Sequence, residues 1–275
     1  MYSHYWNLDS QPFENTLDPA FFFPSQTHQS ALLKLRYMLE NHKGAGVLVG
    51  PTGSGKTFLV HRLADGLVPQ SGPWVRIVFP LMSADDLLNY LATHLGHAAS
   101  MSTVNRLSRS AALQKIEKSL VEHTQQGRHP VIVVDDAHLI DDSEALQTLE
   151  LLLNFQRSPH CVFSLILLGD RLLLSRIGRL PRLDERVVVR SMLQPLSPAE
   201  VARYIRFRLE VSGARNPMFE AAAINEIAHR SGGIPRRINR LADLALLVGY
   251  ADERTTLSAE DVTAVSEELT TVGVD

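Results

Sequence analysis

The chain has 275 residues, 45% of them hydrophobic and 21% charged, which are ordinary proportions for a globular protein of one large domain or a domain with an appendage. Its formal net charge of -3 gives no polyelectrolyte signature, so nucleic-acid binding would need a local patch. The single cysteine, Cys161, excludes an internal disulfide and a cysteine-based metal site. No apolar run resembles a leader or a membrane span, and we expect a protein of the reducing cytoplasm.

The first 27 residues are rich in aromatic residues and proline, unlike disordered segments, which carry few aromatic side chains. We therefore predict an ordered, extended arm whose rings pack on the core of the next domain. A ring of the arm could also contact a nucleotide base. Apolar residues at helical spacing then predict a helix over residues 28–40.

The next stretch reads G-x-x-x-x-G-K-T and stands between an apolar run at residues 47–49 and a helical segment. We interpret it as a phosphate-binding loop (P-loop), because glycines let the backbone turn around an anion and the helix directs free N–H groups to the same place. Lys56 supplies a charge for the β- and γ-phosphates and Thr57 a hydroxyl for Mg²⁺, so the expected ligands are ATP and Mg²⁺. A loop that only turns the chain would leave Lys56 unexplained. The residues assigned to nucleotide binding are Gly50, Pro51, Thr52, Gly53, Ser54, Gly55, Lys56 and Thr57.

Short apolar runs alternate with helical segments from the P-loop region to residue 189. We predict a helix that opens at Ser83 and another over residues 107–125. Uninterrupted apolar strands are typical of a parallel sheet that is covered on both faces. The predicted strands are 47–49, 74–79, 131–134, 162–168 and 187–189, with a turn cluster at 69–73.

The pattern changes after Pro195, where Ser197 and Glu200 predict a capping box. The predicted fold class is α/β, a five-stranded parallel P-loop αβα sandwich with a C-terminal helical lid domain. We divide the chain into the arm at 1–27, the α/β domain at 28–194 and the lid at 195–275. The lid helices are predicted at about 198–211, 217–230, 235–249 and 258–268.

Two acids, Asp135 and Asp136, follow the predicted strand 131–134. At the C-terminal edge of a parallel sheet, Asp135 would lie beside the P-loop, where a carboxylate can hold hydrated Mg²⁺. Asp136 can accept a proton from the water that attacks the γ-phosphate, or orient that water. Without the P-loop, the pair would be interpreted as a solvated turn at the end of a strand.

With these two motifs the chain resembles the AAA+ ATPases, and within them the ExeA/GspA-type secretion ATPases and their relatives among transposition regulators. The resemblance covers nearly the whole chain. It rests further on Gln11-Pro12-Phe13, Asp18-Pro19-Ala20-Phe21-Phe22-Phe23, Leu183 with Arg186, Pro195-Leu196-Ser197 with Glu200, and Gly233-Ile234-Pro235-Arg236 with Ile238-Asn239.

The resemblance implies roles for two arginines. Arg186 takes the position of the arginine finger that reaches the nucleotide of a neighbouring subunit, which implies self-association, and Arg236 that of the sensor-2 arginine of the lid. Guanidinium donors stabilise the charge that gathers on a transferring phosphate. Two positions depart from the family pattern. Asp136 replaces the usual glutamate, so we expect slow hydrolysis, and Asp170 replaces the neutral polar residue called sensor 1, where a carboxylate would be repelled by the γ-phosphate.

Other features leave alternatives open. His138 gives the motif a helicase-like spelling, but no other helicase motif follows, and a capping or packed histidine is the favoured interpretation. Arginines crowd the segment 171–240, either as a solvated face with helix-end charges or as a nucleic-acid patch.

Three functions are compatible with these patterns. The first is an AAA+ ATPase that couples the binding and hydrolysis of Mg-ATP to conformational change in a partner complex, in secretion or pilus-type assembly or in DNA transactions. The second is an ATP-dependent switch or scaffold with negligible hydrolysis, which Asp136 and Asp170 motivate. The third is a small-molecule P-loop kinase, which leaves the motif from Gly233 to Arg236 unexplained. The protein partner is not identified by the sequence.

Overall fold

The structure is a computed structural model that describes residues 2–66, 71–96, 106–140 and 143–271. The chain divides into two compact units. The unit that we call the helical unit comprises Met1–Thr27, Pro51–Phe58 and Gln194–Asp275, and the α/β unit comprises His28–Gly50 and Leu59–Leu193. The P-loop segment 51–58 therefore groups with the arm and the C-terminal helices.

The α/β unit is built on a parallel sheet with the strand order β2-β3-β4-β1-β5. Every residue of β1, β3 and β4 is buried, because these inner strands carry continuous apolar sequence and have helices on both faces. The predicted five-stranded parallel sheet is confirmed. Its strands are β1 (Ala45–Val49), β2 (Ser71–Ile77), β3 (His129–Val134), β4 (Ser164–Gly169) and β5 (Val187–Met192).

Helices cover both faces of the sheet. A Cβ added to Gly46 of β1 would lie 2.7 Å from the Met38 Sδ atom, so the helix that carries Met38 packs directly on the strand. Ile132 of β3 lies in the same hydrophobic cluster as Leu88 and Ile116, which come from two other helices. This arrangement is the predicted αβα sandwich. The helices up to the last strand are α1 (Tyr2–Tyr5), α2 (Gln26–Glu40), α3 (Lys56–Asp65), α4 (Ala84–His94), α5 (Arg109–Gln125), α6 (Ser143–Leu152), α7 (Leu172–Ile177) and α8 (Pro181–Arg186).

The second strand differs from its prediction. Residues 71–73 were predicted as part of a turn but lie in β2, while residues 69 and 70 fall outside the described residues. Pro73 is tolerated because β2 is an edge strand, and the pairing with β3 shifts register between Ser71 and Trp74. Val78 and Phe79, predicted as strand, lie beyond its end and are exposed.

The C-terminal part of the helical unit contains the predicted helices. These are α9 (Pro198–Val211), α10 (Ala221–Ser231), α11 (Pro235–Ala251) and α12 (Ala259–Thr271). The capping box of Ser197 and Glu200 is confirmed at the start of α9. The predicted start of the second of these helices was wrong. We predicted a helix from residue 217, but Phe219 forms a parallel bridge with Leu257, and α10 begins only after it.

The arm packs on helices. Trp6 and Phe13 lie in one hydrophobic cluster with Tyr204 and Leu246 of the C-terminal helices, and the Trp6 ring N–H donates to the Leu246 carbonyl at 3.0 Å. We had expected the arm to pack on the α/β core, whereas its rings contribute to the core of the helical unit. The reason is that an amphipathic helix pair leaves apolar surface that large aromatic side chains cover well.

Within the part of the chain that the structure describes, no helix is long and apolar enough to cross a membrane.

Candidate functional site

The P-loop turns tightly and ends at the N-terminus of α3. Gly53 and Gly55 have φ angles of 83° and 93°, a region that costs a residue with a side chain about 1–2 kcal/mol. The Lys56 Nζ atom donates to the Pro51 carbonyl oxygen at 3.2 Å, and Lys56 is only 7% exposed. The ammonium group is therefore held over the loop, at the first residue of a helix whose N-terminal N–H groups attract anions.

The start of α11 packs directly against this loop. The Arg236 backbone N–H donates to the Gly53 carbonyl oxygen at 3.2 Å. A Cβ added to Gly53 would lie 2.7 Å from the Cβ atom of Arg236, so only glycine permits this approach. Within the helical unit, the structure thus places Arg236 against Gly53, three residues before Lys56. The Arg236 side chain itself is exposed.

The acids of the α/β unit follow β3. Asp135 is 6% exposed, and its carboxylate accepts a hydrogen bond from the Arg76 guanidinium at 3.2 Å. Asp136 has left-handed backbone angles, φ 47° and ψ 38°, and its N–H donates to Asp135 Oδ1 at 3.1 Å. This conformation is uncommon for residues other than glycine, although aspartate tolerates it, and such backbone is enriched at functional sites. The sequence analysis had not singled out Arg76, which lies far from Asp135 in the chain and on another strand.

Asp170 follows β4, and its two carboxylate oxygens face different groups. Its Oδ1 atom accepts from the Leu172 N–H at 2.8 Å, at the start of α7, and its Oδ2 atom lies 3.7 Å from His138 Nε2. His138 Nδ1 lies 3.9 Å from Asp136 Oδ1. We favoured a capping or packed role for His138. In the structure its ring packs against the end of β4 and lies between the two acids that depart from the family pattern.

The Arg186 side chain forms hydrogen bonds with a different part of the chain from these acids. Its Nη1 atom donates to the Leu153 carbonyl oxygen at 2.7 Å and its Nη2 atom donates to Asn154 Oδ1 at 2.8 Å. Leu153 and Asn154 belong to a short 3-10 helix, Leu153–Arg157, after α6. The guanidinium has five N–H donors, so these two bonds orient Arg186 and leave donors for another acceptor.

Each unit carries an oxygen donor with the chemistry that Mg²⁺ requires. Mg²⁺ prefers oxygen ligands, keeps several waters and uses few protein groups. The Asp135 carboxylate and the Thr57 hydroxyl are oxygen donors of this kind, and Arg76 orients the carboxylate. Among the described residues, no group of three or more His, Cys, Asp or Glu side chains could hold a metal.

Two sequence comparisons bear on this site. Residues 39–177, about half of the chain, match a family described as an AAA domain. The chain is also 30% identical over 254 residues to General secretion pathway protein A of Aeromonas hydrophila. The aligned part covers 91% of this chain but 45% of that protein, so the chain spans less than half the length of this relative.

Three solved structures share the fold. The ORC2 protein of Aeropyrum pernix aligns with a TM-score of 0.72 at 17% identity and covers 94% of this chain and 71% of that one. Cdc6p of Pyrobaculum aerophilum aligns with a TM-score of 0.72 at 17% identity, over 95% and 71% of the two chains. The RuvB Holliday junction branch migration motor of Thermotoga maritima gives a TM-score of 0.61 at 20% identity, over 94% and 74%. These structural likenesses show the fold, and the match over residues 39–177 shows that the chain belongs to the AAA domain family, with similarity to the secretion protein of Aeromonas hydrophila.

Proposed function

We propose that this protein is a cytoplasmic ATPase that binds Mg-ATP through residues 50–57 and couples its binding and hydrolysis to conformational change in a partner complex. In this proposal Lys56 binds the β- and γ-phosphates, and Thr57 and Asp135 hold Mg²⁺. A bound Mg²⁺ would neutralise charge on the phosphate oxygens. Asp136 orients the attacking water or accepts its proton, and Arg236 stabilises charge on the phosphate.

The observation that carries this proposal is the backbone contact between the P-loop and the start of α11. The Arg236 N–H donates to the Gly53 carbonyl oxygen, so α11 is joined to the phosphate-binding segment itself. A nucleotide that alters the loop would act directly on the position of α11. This link offers a physical route from bound nucleotide to movement of the C-terminal helices.

The first test compares ATP binding and turnover of the wild-type protein with Lys56→Ala. Loss of a charged hydrogen bond costs about 1.5–3 kcal/mol, so ATP affinity should fall roughly ten- to a hundredfold. The matched control is Lys34→Ala, which removes an exposed lysine of α2 and should bind ATP as the wild type does. Calorimetry with ATP and Mg²⁺ measures both. Wild-type affinity in folded Lys56→Ala would contradict the assignment of the loop.

The switch or scaffold remains the second candidate, because the Asp136 backbone is left-handed and its side chain is half exposed. The test is Asp136→Asn, which keeps size and shape but removes the base. In an ATPase it should retain ATP affinity and lose roughly a hundredfold or more in turnover. Turnover equal to that of the wild type would favour the switch.

Self-association through Arg186 is part of the proposal. A head-to-tail contact places one subunit's arginine at another subunit's nucleotide, so turnover should rise with protein concentration. Arg186→Ala should bind ATP but turn it over poorly. Mixing it with Lys56→Ala should restore part of the activity, because one variant supplies the arginine and the other the intact loop. If no mixing ratio exceeds either parent, Arg186 does not act between subunits.

The class of partner complex is proposed from the names of similar proteins. The relative of Aeromonas hydrophila is named for secretion, and the solved structures include DNA-bound ORC1 and a branch migration motor. We propose either a secretion-type assembly or a DNA transaction for this chain. Binding of DNA measured at two salt concentrations, with the exposed Arg237 and Arg240 replaced, separates them, since phosphate contacts are strongly salt-dependent.

A further inference from the structure

The His138 ring lies between two carboxylates that come from two different strand ends. Its Nε2 atom is 3.7 Å from Asp170 Oδ2 and its Nδ1 atom is 3.9 Å from Asp136 Oδ1. The His138 side chain is 15% exposed, against 33% for Asp170 and 53% for Asp136. The least exposed member of this group of three is therefore the histidine in its middle.

Three elements fix the ring in this place. His138 lies in a short 3-10 helix, Ala137–Leu139, between β3 and α6. A Cβ added to Gly169, the last residue of β4, would lie 3.3 Å from His138 Nδ1, so the ring packs against this strand. Arg176 of α7 donates to the Ile140 carbonyl oxygen and ties α7 to the chain just after the 3-10 helix. The segment that carries the imidazole is therefore anchored to both β4 and α7.

Each oxygen of the Asp170 carboxylate faces a different group. Its Oδ1 atom already accepts from the Leu172 N–H, so its Oδ2 atom is the one that faces the ring. His138 Nδ1 is shielded from solvent and has no hydrogen-bond partner within the described residues. An ionised carboxylate only accepts hydrogen bonds, and an imidazole donates from both nitrogens only when it is protonated, so a ring that donates to both acids carries a positive charge. Both contacts are longer than hydrogen bonds, and shifts of less than about 1 Å would bring Nε2 into hydrogen-bond distance of Asp170 and Nδ1 into hydrogen-bond distance of Asp136.

We propose that His138 is a positioning residue for ATP hydrolysis: Asp170 holds the ring through Nε2, and Nδ1 holds the Asp136 carboxylate in the orientation that addresses the attacking water. This inference rests on the proposed ATPase function. It also gives Asp170 a role that does not require contact with the γ-phosphate. The acid at the sensor-1 position and the shortened acid after Asp135 then work as one unit, joined by a histidine.

The test measures kcat and ATP affinity for His138→Ala, His138→Gln, Asp170→Asn and the double variant His138→Ala with Asp170→Asn. Partners that orient a functional group typically contribute roughly 10- to 100-fold. His138→Ala should lower kcat by about this factor and leave ATP affinity unchanged, and His138→Gln should recover part of it through its amide N–H. Because the residues act in series, the double variant should be no slower than His138→Ala. The matched control is the exposed His160→Ala, which should keep wild-type kcat.

The outcomes separate the two proposals. No turnover by the wild-type protein, or equal turnover by Lys56→Ala, overturns the ATPase function and this inference with it. Lys56-dependent turnover together with wild-type kcat in His138→Ala overturns the inference alone, as do losses from His138→Ala and Asp170→Asn that multiply in the double variant. If His138→Ala does not fold, ¹⁵N-histidine NMR of the nucleotide-free protein decides the matter. The ring signals of His138 should shift in both Asp170→Asn and Asp136→Asn, and signals that stay unchanged in both contradict the contacts.

Discussion

The two units of the protein build their interiors differently. The core of the α/β unit is aliphatic, and Phe163 is the aromatic residue among its fully buried side chains in the described chain. The core of the helical unit contains the rings of Tyr2, Trp6, Phe13, Tyr204 and Phe219. A buried polar group of this unit also contacts an aromatic ring: the Arg208 guanidinium lies 4.5 Å from the centroid of the Phe21 ring.

This difference shows two ways of ordering a chain. In the α/β unit, the buried polar side chains His129 and Ser164 are the first residues of β3 and β4 and contact each other there. In the helical unit, polar contacts join segments that are nearly two hundred residues apart: Arg208 donates to the carbonyl oxygens of Pro12 and Glu14. The helical unit thus depends on specific long-range bonds, and the sheet on continuous apolar strands.

The two tryptophans allow the units to be followed separately, since Trp6 belongs to the helical unit and Trp74 to the α/β unit. Phenylalanine in place of one tryptophan leaves the other as the fluorescent probe.

The largest effect is expected for Gly233→Ala. A Cβ at this position would lie 2.1 Å from the Leu196 carbonyl oxygen, and the residue has a φ of +71°. We expect a loss of about 4 kcal/mol or more in the free energy of unfolding, detected by Trp6 during urea denaturation. The control is Gly232→Ala, which shares the positive φ but meets nothing within 4 Å, and should cost about 1 kcal/mol. Equal losses would mean that backbone strain, and not the contact with Leu196, is responsible.

The next effect concerns the acid sensitivity of the α/β unit. Burial, and to a lesser degree the neighbouring His42, lowers the pKa of His129 to about 4. In the unfolded chain the His129 imidazole binds a proton near pH 6.5, whereas in the folded chain it stays neutral at this pH. The free energy of unfolding is therefore highest above pH 6.5 and falls by about 3 kcal/mol as the pH drops from 6.5 to 4. His129→Asn should flatten this dependence.

The probe for the His129 prediction is Trp74, in denaturation series at pH 7, 5.5 and 4.5. His160→Ala, which removes an exposed histidine, should leave the slope as it is in the wild type. A slope that survives in His129→Asn would assign the acid sensitivity to other groups.

The smallest of the three effects is expected for Arg208→Met. Methionine replaces the aliphatic part of the arginine side chain but cannot donate the bonds to Pro12 and Glu14. Two carbonyl groups are then left without these donors. We expect a loss of about 2 kcal/mol, reported by Trp6 as release of the arm. Arg206→Met, on the exposed face of the same helix, should change stability by less than about 0.5 kcal/mol. No difference between the two variants would show that the arm is held by its rings alone.

Much of the fold and part of the candidate site could be predicted from local patterns. The P-loop, the five strands and the capping box at Ser197 each involve a few consecutive residues, and local geometry follows from short sequence. The bounds of β2 could not be predicted in this way, because Pro73 is acceptable only in an edge strand. The start of α10 was missed because Pro217 could open a helix, whereas the pairing of Phe219 with Leu257 delays the helix until after Glu220.

The sequence by itself determined the residue types of the site and the order of the elements that carry them: glycines and Lys56 before a helix, and acids after apolar strands. Only the tertiary structure decided which side chains meet. His138 stands between Asp136 and Asp170 because β3 and β4 are neighbours in the sheet, Arg76 reaches Asp135 because β2 pairs with β3, and Arg186 bonds to Leu153 and Asn154. The arm likewise found its place among the C-terminal helices. Such contacts join residues far apart in the chain, so they depend on how the elements pack and not on any local pattern.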